Sequence, residues 1–316
     1  MLLTDYFRPE PDATWDIALQ CGVRHGTIRL PEDDSFDVTD RGHIRSVADR
    51  FRSRGITPVV VEPLPNSLHD HIKLGDAQRD VSIEKFIRLM ENLSIEGIRT
   101  VCFNFMAHYG WTRTAAEIRE RGGARVTGFD LDDFTPDCTV IDADRMWSNY
   151  EYFIRAVIPY AERHGVKLAL HPDDPPLEKL GGVSRIFTSL DAIKKGIRVV
   201  DSPNLGVTFC QACYRLMGED LGHAIDVLAD RIFFIHFRNV TGTRENFRET
   251  FHDNGDIPMA KVMREYISHG IDVPIRVDHV PTLVGEKIRN EGYDTLGRLF
   301  AIGYLKGILE ANGDSN

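Results

Sequence analysis

Short apolar runs rich in β-branched and aromatic residues alternate along the chain with longer segments whose apolar positions recur at three- and four-residue steps. Residues 2–7, 26–30, 58–63, 100–106, 167–171, 205–210, 232–237 and 274–279 read as strands. Between them lie one-sided helical patterns such as 81–93 (VSIEKFIRLMENL), 147–163 and 221–228, and 296–310 supplies a last helix. Eight strands alternating with helices predict parallel βαβ units of the α/β class, closed as a (β/α)8 TIM barrel. A doubly wound open sheet is the rival architecture. No strand runs into the G-x-G-x-x-G turn that such sheets use for phosphate, which counts against it. The first strand is the least regular, because Thr4, Asp5 and Arg8 interrupt it.

Composition narrows this picture. The chain has 316 residues, 42% of them hydrophobic, and no linker, repeat or low-complexity tract divides it. One barrel, typically about 250 residues plus insertions, accounts for that length, so residues 1–316 are expected to form one domain. The first twenty residues carry Asp5, Arg8, Glu10 and Asp12 and cannot serve as the apolar core of a signal peptide. No apolar stretch approaches the roughly 20 residues of a membrane span. Five scattered cysteines, an odd number, point to free thiols in a reducing cytoplasm. A soluble cytoplasmic protein with no membrane partner is expected, as a homo-oligomer. The net charge of −10 opposes nucleic-acid binding, which depends on clustered Lys and Arg, but leaves room for a local basic cleft around a small anion.

Barrel enzymes gather their chemistry at the carboxyl ends of the strands. Here those ends read LALHPDD, GVTFCQAC, FFIHFRN and PIRVDHV, placing His171, Cys210, His236 and Asp278 on four consecutive strands. Singly, each has a plainer reading: a hydrogen-bonded histidine, a cysteine acting as a small hydrophobe, an aspartate capping a helix. Together they converge on one point above the barrel axis, and a metal site follows. Two imidazoles, a thiolate and a carboxylate suit Zn²⁺, Fe²⁺ or Co²⁺ by softness, with manganese less obvious because of the sulfur. The residues alone leave the metal open. His279, next to Asp278, is either a general acid or base, facing the site because the chain turns there, or a partner for a backbone carbonyl. Tyr293, in EGYDTLGR, either reaches over the barrel mouth or is an interfacial aromatic.

The series IKLG (72–75), RD (79–80), FNFM (103–106), WTRT (111–114), HPDDPP (171–176), IHFRN (235–239), FHDNGD (251–256), VDH (277–279) and GY (292–293) resembles the motif series of mannonate dehydratases. HPDDPP and WTRT are its most distinctive pieces, and the likeness runs from about residue 58 to 310. The resemblance implies a xylose-isomerase-like barrel that dehydrates D-mannonate, or a related aldonic acid, to 2-keto-3-deoxy-D-gluconate. It implies Mn²⁺ as the usual cation, with Mg²⁺, Co²⁺, Fe²⁺ or Zn²⁺ as alternatives, held by His171, Cys210, His236 and Asp278. Proton transfer falls on His279 and Tyr293. The expected direction makes His279 the acid toward the leaving hydroxyl and Tyr293 a base, which needs a nearby cation to lower its pKa from about 10. Arg238 and Arg113 either hold the substrate carboxylate or pair with Asp173 or Asp174; His252 and Asp256 are expected on sugar hydroxyls, with Asn104 and Trp111 walling the pocket.

The chain departs from the family pattern in three places. Gly110 precedes Trp111 where an aspartate is common, QAC follows Cys210 in place of TGS, and Val280 and Pro281 follow the Asp-His pair. Substrate identity is where these differences bear. A sugar isomerase or epimerase on the same barrel is the main alternative, since fold does not fix function. Isomerases of this group usually offer a carboxylate-rich metal site. Phosphodiester cleavage is opposed by the acidic balance, and a non-catalytic binding protein that keeps the barrel is the third alternative.

Overall fold

A computed structural model describes residues 1–288 and 291–313. Its centre is a closed ring of eight parallel strands: β1 (Leu2–Phe7), β2 (His25–Ile28), β3 (Thr57–Val61), β4 (Thr100–Phe103), β5 (Lys167–Leu170), β6 (Leu205–Cys210), β7 (Ile232–Phe237) and β8 (Pro274–Val277). Each pairs with its neighbour in sequence, and β8 closes on β1 with Leu3 opposite Ile275. All eight expected strands are present. Two of the polar residues expected to interrupt β1 have interior work: Thr4 Oγ1 lies 3.1 Å from Thr27 Oγ1 and donates to the Ile275 carbonyl, and Asp5 accepts from Arg298, while Arg8 is exposed beyond the strand's end.

The outer helices follow the expected periodicity, and several start at side-chain caps. Ala143–His164 begins where Asp142 accepts from the Arg145 amide, and it ends at Gly165, whose φ of 62° only glycine adopts without strain. Its buried stripe, including Met146, Tyr150, Phe153 and Val157, packs on the barrel side. Leu221–Leu228 matches the expected span, while Arg79–Ile95 and Thr295–Ala311 extend slightly beyond theirs. Among the described residues no helix is long and apolar enough to cross a membrane.

Two small sheets were not anticipated. Ala115–Arg119, Arg125–Asp130, Asn246–Glu249 and Val240–Gly242 form an antiparallel sheet above the barrel, from the segments that leave β4 and β7. Lys179–Leu180, Gly182–Ser184 and Val140–Ile141 form the other. Strands of two to six residues, partly exposed, carry too little alternation to stand out from loop sequence. The first sheet matters for function, because it ends in Glu249 and follows Arg113.

Candidate active site

Barrel geometry brings the strand-end residues together. Cys210 pairs in register with His236, and His236 with Arg276, so three neighbouring strands present these side chains at one level. The ligand atoms of His171, Cys210 and His236 all lie within 4.8 Å of one another. Asp278 joins them from the end of β8, with Oδ2 3.4 Å from His236 Nδ1.

Hydrogen bonds set which atoms face inward. His171 Nδ1 is 2.6 Å from the Pro172 carbonyl, which only accepts, so Nδ1 carries the proton and Nε2 keeps its lone pair. His236 turns Nε2 to Glu62, 3.0 Å from Oε1, and its buried Nδ1 has no hydrogen-bond partner. Burial works against charge on Glu62, yet Arg276 and His236 hold it below the usual carboxylate range. Burial and Arg276 disfavour charge on His236 too, but Glu62 and Asp278 push its pKa up to about 10. A point that draws a second proton onto Nδ1 draws a cation equally, and metal binding releases that proton.

The sulfur fits as well. Burial raises the Cys210 thiol, but the hydrogen bond with Cys213 and the Arg238 guanidinium outweigh it and hold Cys210 well below the usual thiol range. Arg238 Nη1 stands 3.5 Å from Cys210 Sγ. A thiolate, two imidazole lone pairs and the Asp278 carboxylate form a donor set suited to a divalent cation. A second cluster, Glu62, Cys102 and His236, shares His236 with the first. Its Cys102 is pushed well above the thiol range by burial and by Glu62, to which it donates at 3.1 Å, so this cluster supports His236 and offers no second thiolate.

His279 follows Asp278 in a left-handed conformation (φ 39°), a strained backbone for a residue with a side chain. That turn puts adjacent side chains on the same side: His279 Nε2 is 3.6 Å from Asp278 Oδ1. Its Nδ1 is 3.2 Å from Glu249 Oε1. Burial opposes charge on Glu249, but Arg238, His279 and Arg113 bring its pKa down to about 2, so it accepts from Nδ1–H and leaves Nε2 as the imidazole acceptor. Tyr293 packs edge-on against His279, ring centres 5.2 Å apart, and donates its phenol to Asp278 Oδ1 at 2.9 Å. Burial and the Asp278 charge push that phenol well above its usual pKa, opposite to what a tyrosine base requires.

Arg113 and Arg238 take the pairing alternative. Both bind Asp174 and Glu249 at 2.7 Å with side chains almost wholly buried. Arg238 borders the cavity; Arg113 stands behind Trp111, 4.6 Å from its ring centre. The expectation for His252 and Asp256 is corrected. His252 is fully buried with Nε2 2.7 Å from the Phe237 carbonyl, and Asp256 is engaged by Arg215, Thr241 and the Gly242 amide. Neither lines the cavity, because their loop folds back on the end of β7.

The cavity above the cluster measures about 560 Å³, within the roughly 300–1,000 Å³ of small-ligand pockets. Asn104 and Trp111 wall it, and Arg276 with Arg298 adds positive charge near Tyr6 and Tyr293. Asp174 was foreseen as an arginine partner, whereas Glu62, Arg276 and Glu249 escaped the reading of the sequence. Two carried a signal: Glu62 ends the apolar run VVVE, and Arg276 is a charge inside a barrel strand.

The family described as D-mannonate dehydratase (UxuA) matches the chain over residues 15–138 and 133–315. The mannonate dehydratase of Streptococcus agalactiae serotype III (strain NEM316) is 32% identical over 308 residues, which span 87% of each chain. The crystal structure of mannonate dehydratase from Streptococcus suis serotype2 superposes with a TM-score of 0.90 at 27% identity, covering 100% of this chain and 95% of that one. A xylose isomerase domain protein from Planctomyces limnophilus, at TM-score 0.66 and 14% identity over 99% of both chains, shares the fold alone.

Proposed function

The chain belongs to the D-mannonate dehydratase family, a family of hydro-lyases, and from that premise we propose that it removes water from D-mannonate to give 2-keto-3-deoxy-D-gluconate. The observation that carries the reading is that His171, His236 and Asp278 line one cavity with His279 and Tyr293, with the buried Cys210 sulfur beside the two imidazoles as the fourth member of a cation-ready cluster. Mn²⁺ is our choice of cation, following the family resemblance.

Removing the C2 proton of a sugar acid places a second negative charge beside its carboxylate. When bound, a divalent cation stabilises that charge electrostatically. His279 faces the cavity with Nε2 free to accept, because Glu249 holds Nδ1–H, so we assign it the C2 proton. Tyr293 keeps its phenolic proton and is placed beside His279, so it protonates the departing C3 hydroxyl. This reverses the direction expected from sequence, for the reason that Asp278 and burial keep the phenol protonated. Each transfer contributes roughly 10²–10⁴-fold. Arg276, fixed by Glu62 and Asp278 at 2.8 Å each, keeps the carboxylate of Asp278 charged and aimed at the cluster. Trp111 covers the His279 ring at 4.8 Å and shields the reacting carbons from water.

The test supplies Mn²⁺-loaded protein with D-mannonate, D-gluconate, L-gulonate and free D-mannose, and assays 2-keto-3-deoxy product. Product from D-mannonate and none from D-mannose is expected. Failure on every aldonic acid with cation bound overturns the reading.

A further inference from the structure

Trp111, in the cavity wall, sits in a loop whose backbone is held from behind by a buried arginine. Arg185, only 5% exposed, directly follows the short strand Gly182–Ser184. Its Nη2 donates to the carbonyls of Tyr109 and Gly110 at 3.0 Å each, and its Nη1 to those of Asp174 and Pro175 at 3.2 and 3.4 Å. Burying a guanidinium is costly unless its N–H groups find acceptors. Among the described residues its hydrogen bonds all go to backbone carbonyls, so the charge is spent on joining the 109–110 and 174–175 segments. The contacts at 109–110 fall where the loop is otherwise least constrained. Gly110 has no side chain, and nothing stands within 4 Å of where a Cβ would lie. Its carbonyl belongs to the rigid peptide plane that carries the Trp111 amide, so a donor fixed on that oxygen sets where Trp111 begins. Thr112 Oγ1 donates to the same oxygen at 3.0 Å and closes the chain around Trp111. From there the indole ring reaches the His279 ring, centres 4.8 Å apart, and backs onto the Arg113 guanidinium at 4.6 Å. Arg113 in turn binds the carboxylate of Asp174, whose backbone carbonyl Arg185 holds.

We propose that Arg185 is a positioning residue for the reaction: through the Tyr109 and Gly110 carbonyls it holds the Trp111 wall over His279 and the bound substrate. Arg185 itself does not line the cavity and touches no reacting group. It acts through the indole, which covers the base and closes one side of the pocket. The planar guanidinium suits this work because each of its two terminal nitrogens meets one of the two segments. A lysine carries all three donors on one nitrogen and cannot span both. A wall left to drift moves away from the substrate and admits water beside His279, and small displacements of this kind are expensive in catalysis.

The inference rests on the reading of the cavity as a sugar-acid site, and the test separates the two. In Mn²⁺-loaded protein with D-mannonate, Arg185→Lys should lower kcat/KM by up to roughly 10²-fold. Most of the loss should appear as a raised KM, because the wall meets bound substrate and transition state alike. Trp111→Ala should do the same, and adding Arg185→Lys to Trp111→Ala should change little, since two residues acting through one contact are not additive. Acrylamide quenching of tryptophan fluorescence gives a readout that needs no substrate. Arg185→Lys should raise the quenching, and the rise should vanish in a Trp111→Phe background, where Trp15 and Trp147 are the remaining reporters. Should Arg185→Lys fail to fold, Thr112→Val, which takes the hydroxyl donor from the same carbonyl near the surface, replaces it with the same expected and contradicting results. Unchanged quenching, or effects on kcat/KM that multiply in the double variant, overturns the proposal. Wild-type protein that binds Mn²⁺ but leaves D-mannonate unchanged overturns the sugar-acid reading instead, and the quenching still decides whether Arg185 holds Trp111.

Discussion

His236 Nε2 lies 3.0 Å from Glu62 Oε1, and this contact decides which nitrogen of the imidazole is left for the cluster. The carboxylate holds the proton on Nε2, and Nδ1 turns toward Asp278. Partners of this kind orient a ligand and raise its basicity. Replacing Glu62 by Gln, which also loosens Arg276, should lower Mn²⁺ affinity about 10–100-fold while the fold persists. Calorimetric titration with Mn²⁺ checks this, and unchanged affinity removes Glu62 from the support of the site.

Two substitutions separate the proton-transfer roles. His279→Asn keeps size and hydrogen bonding but cannot take the C2 proton, so turnover should fall roughly 10²–10⁴-fold with cation binding retained. Tyr293→Phe should lose turnover comparably while still exchanging the C2 hydrogen of D-mannonate with solvent deuterium. Exchange that survives in His279→Asn and vanishes in Tyr293→Phe would swap the two assignments.

Arg113 is a structural element of the site. Its side chain is buried against Asp174 and Glu249, so Arg113→Ala leaves two carboxylates short of a cation and should cost about 3–5 kcal/mol in urea unfolding. The exposed pair Arg155–Glu151 on the helix Ala143–His164 is the control, with Arg155→Ala costing at most about 0.5 kcal/mol. Similar costs at both positions would contradict the burial argument.

Glu249 gives the protein an acid-sensitive component. Its pKa is brought down from an ordinary 4.5 to about 2 by Arg238, His279 and Arg113, against burial. A depressed carboxyl contributes stability that is complete above the unfolded value and lost as pH falls through the folded one. Stability should therefore decline from about pH 4.5 toward pH 2, and Glu249→Gln should show a shallower decline by up to about one proton. Urea melts across that range measure the slopes, and identical slopes would remove Glu249 from the acid response.

The sequence showed most of the barrel because each central strand is an apolar run, as in β6 and β7, where every residue is buried. The ligand candidates were legible for a related reason: His171, Cys210, His236 and Asp278 each interrupt or end such a run. Glu249 was not legible, since it reaches His279 only through a short strand of the sheet above the barrel. The FHDNGD segment misled for the opposite reason. Its His252 is a polar residue in a polar loop, yet the loop turns inward and spends the imidazole on the Phe237 carbonyl.

Mn²⁺-loaded protein incubated with D-mannonate in deuterium oxide and followed by proton NMR tests the central claim most directly. Taking the C2 proton and expelling the C3 hydroxyl leaves an enol that must collect a proton from solvent at C3. The account predicts a 2-keto-3-deoxy acid carrying one deuterium at C3. Unchanged D-mannonate, together with conversion of D-mannose to a ketose without loss of water, would contradict it and assign the barrel to isomerisation.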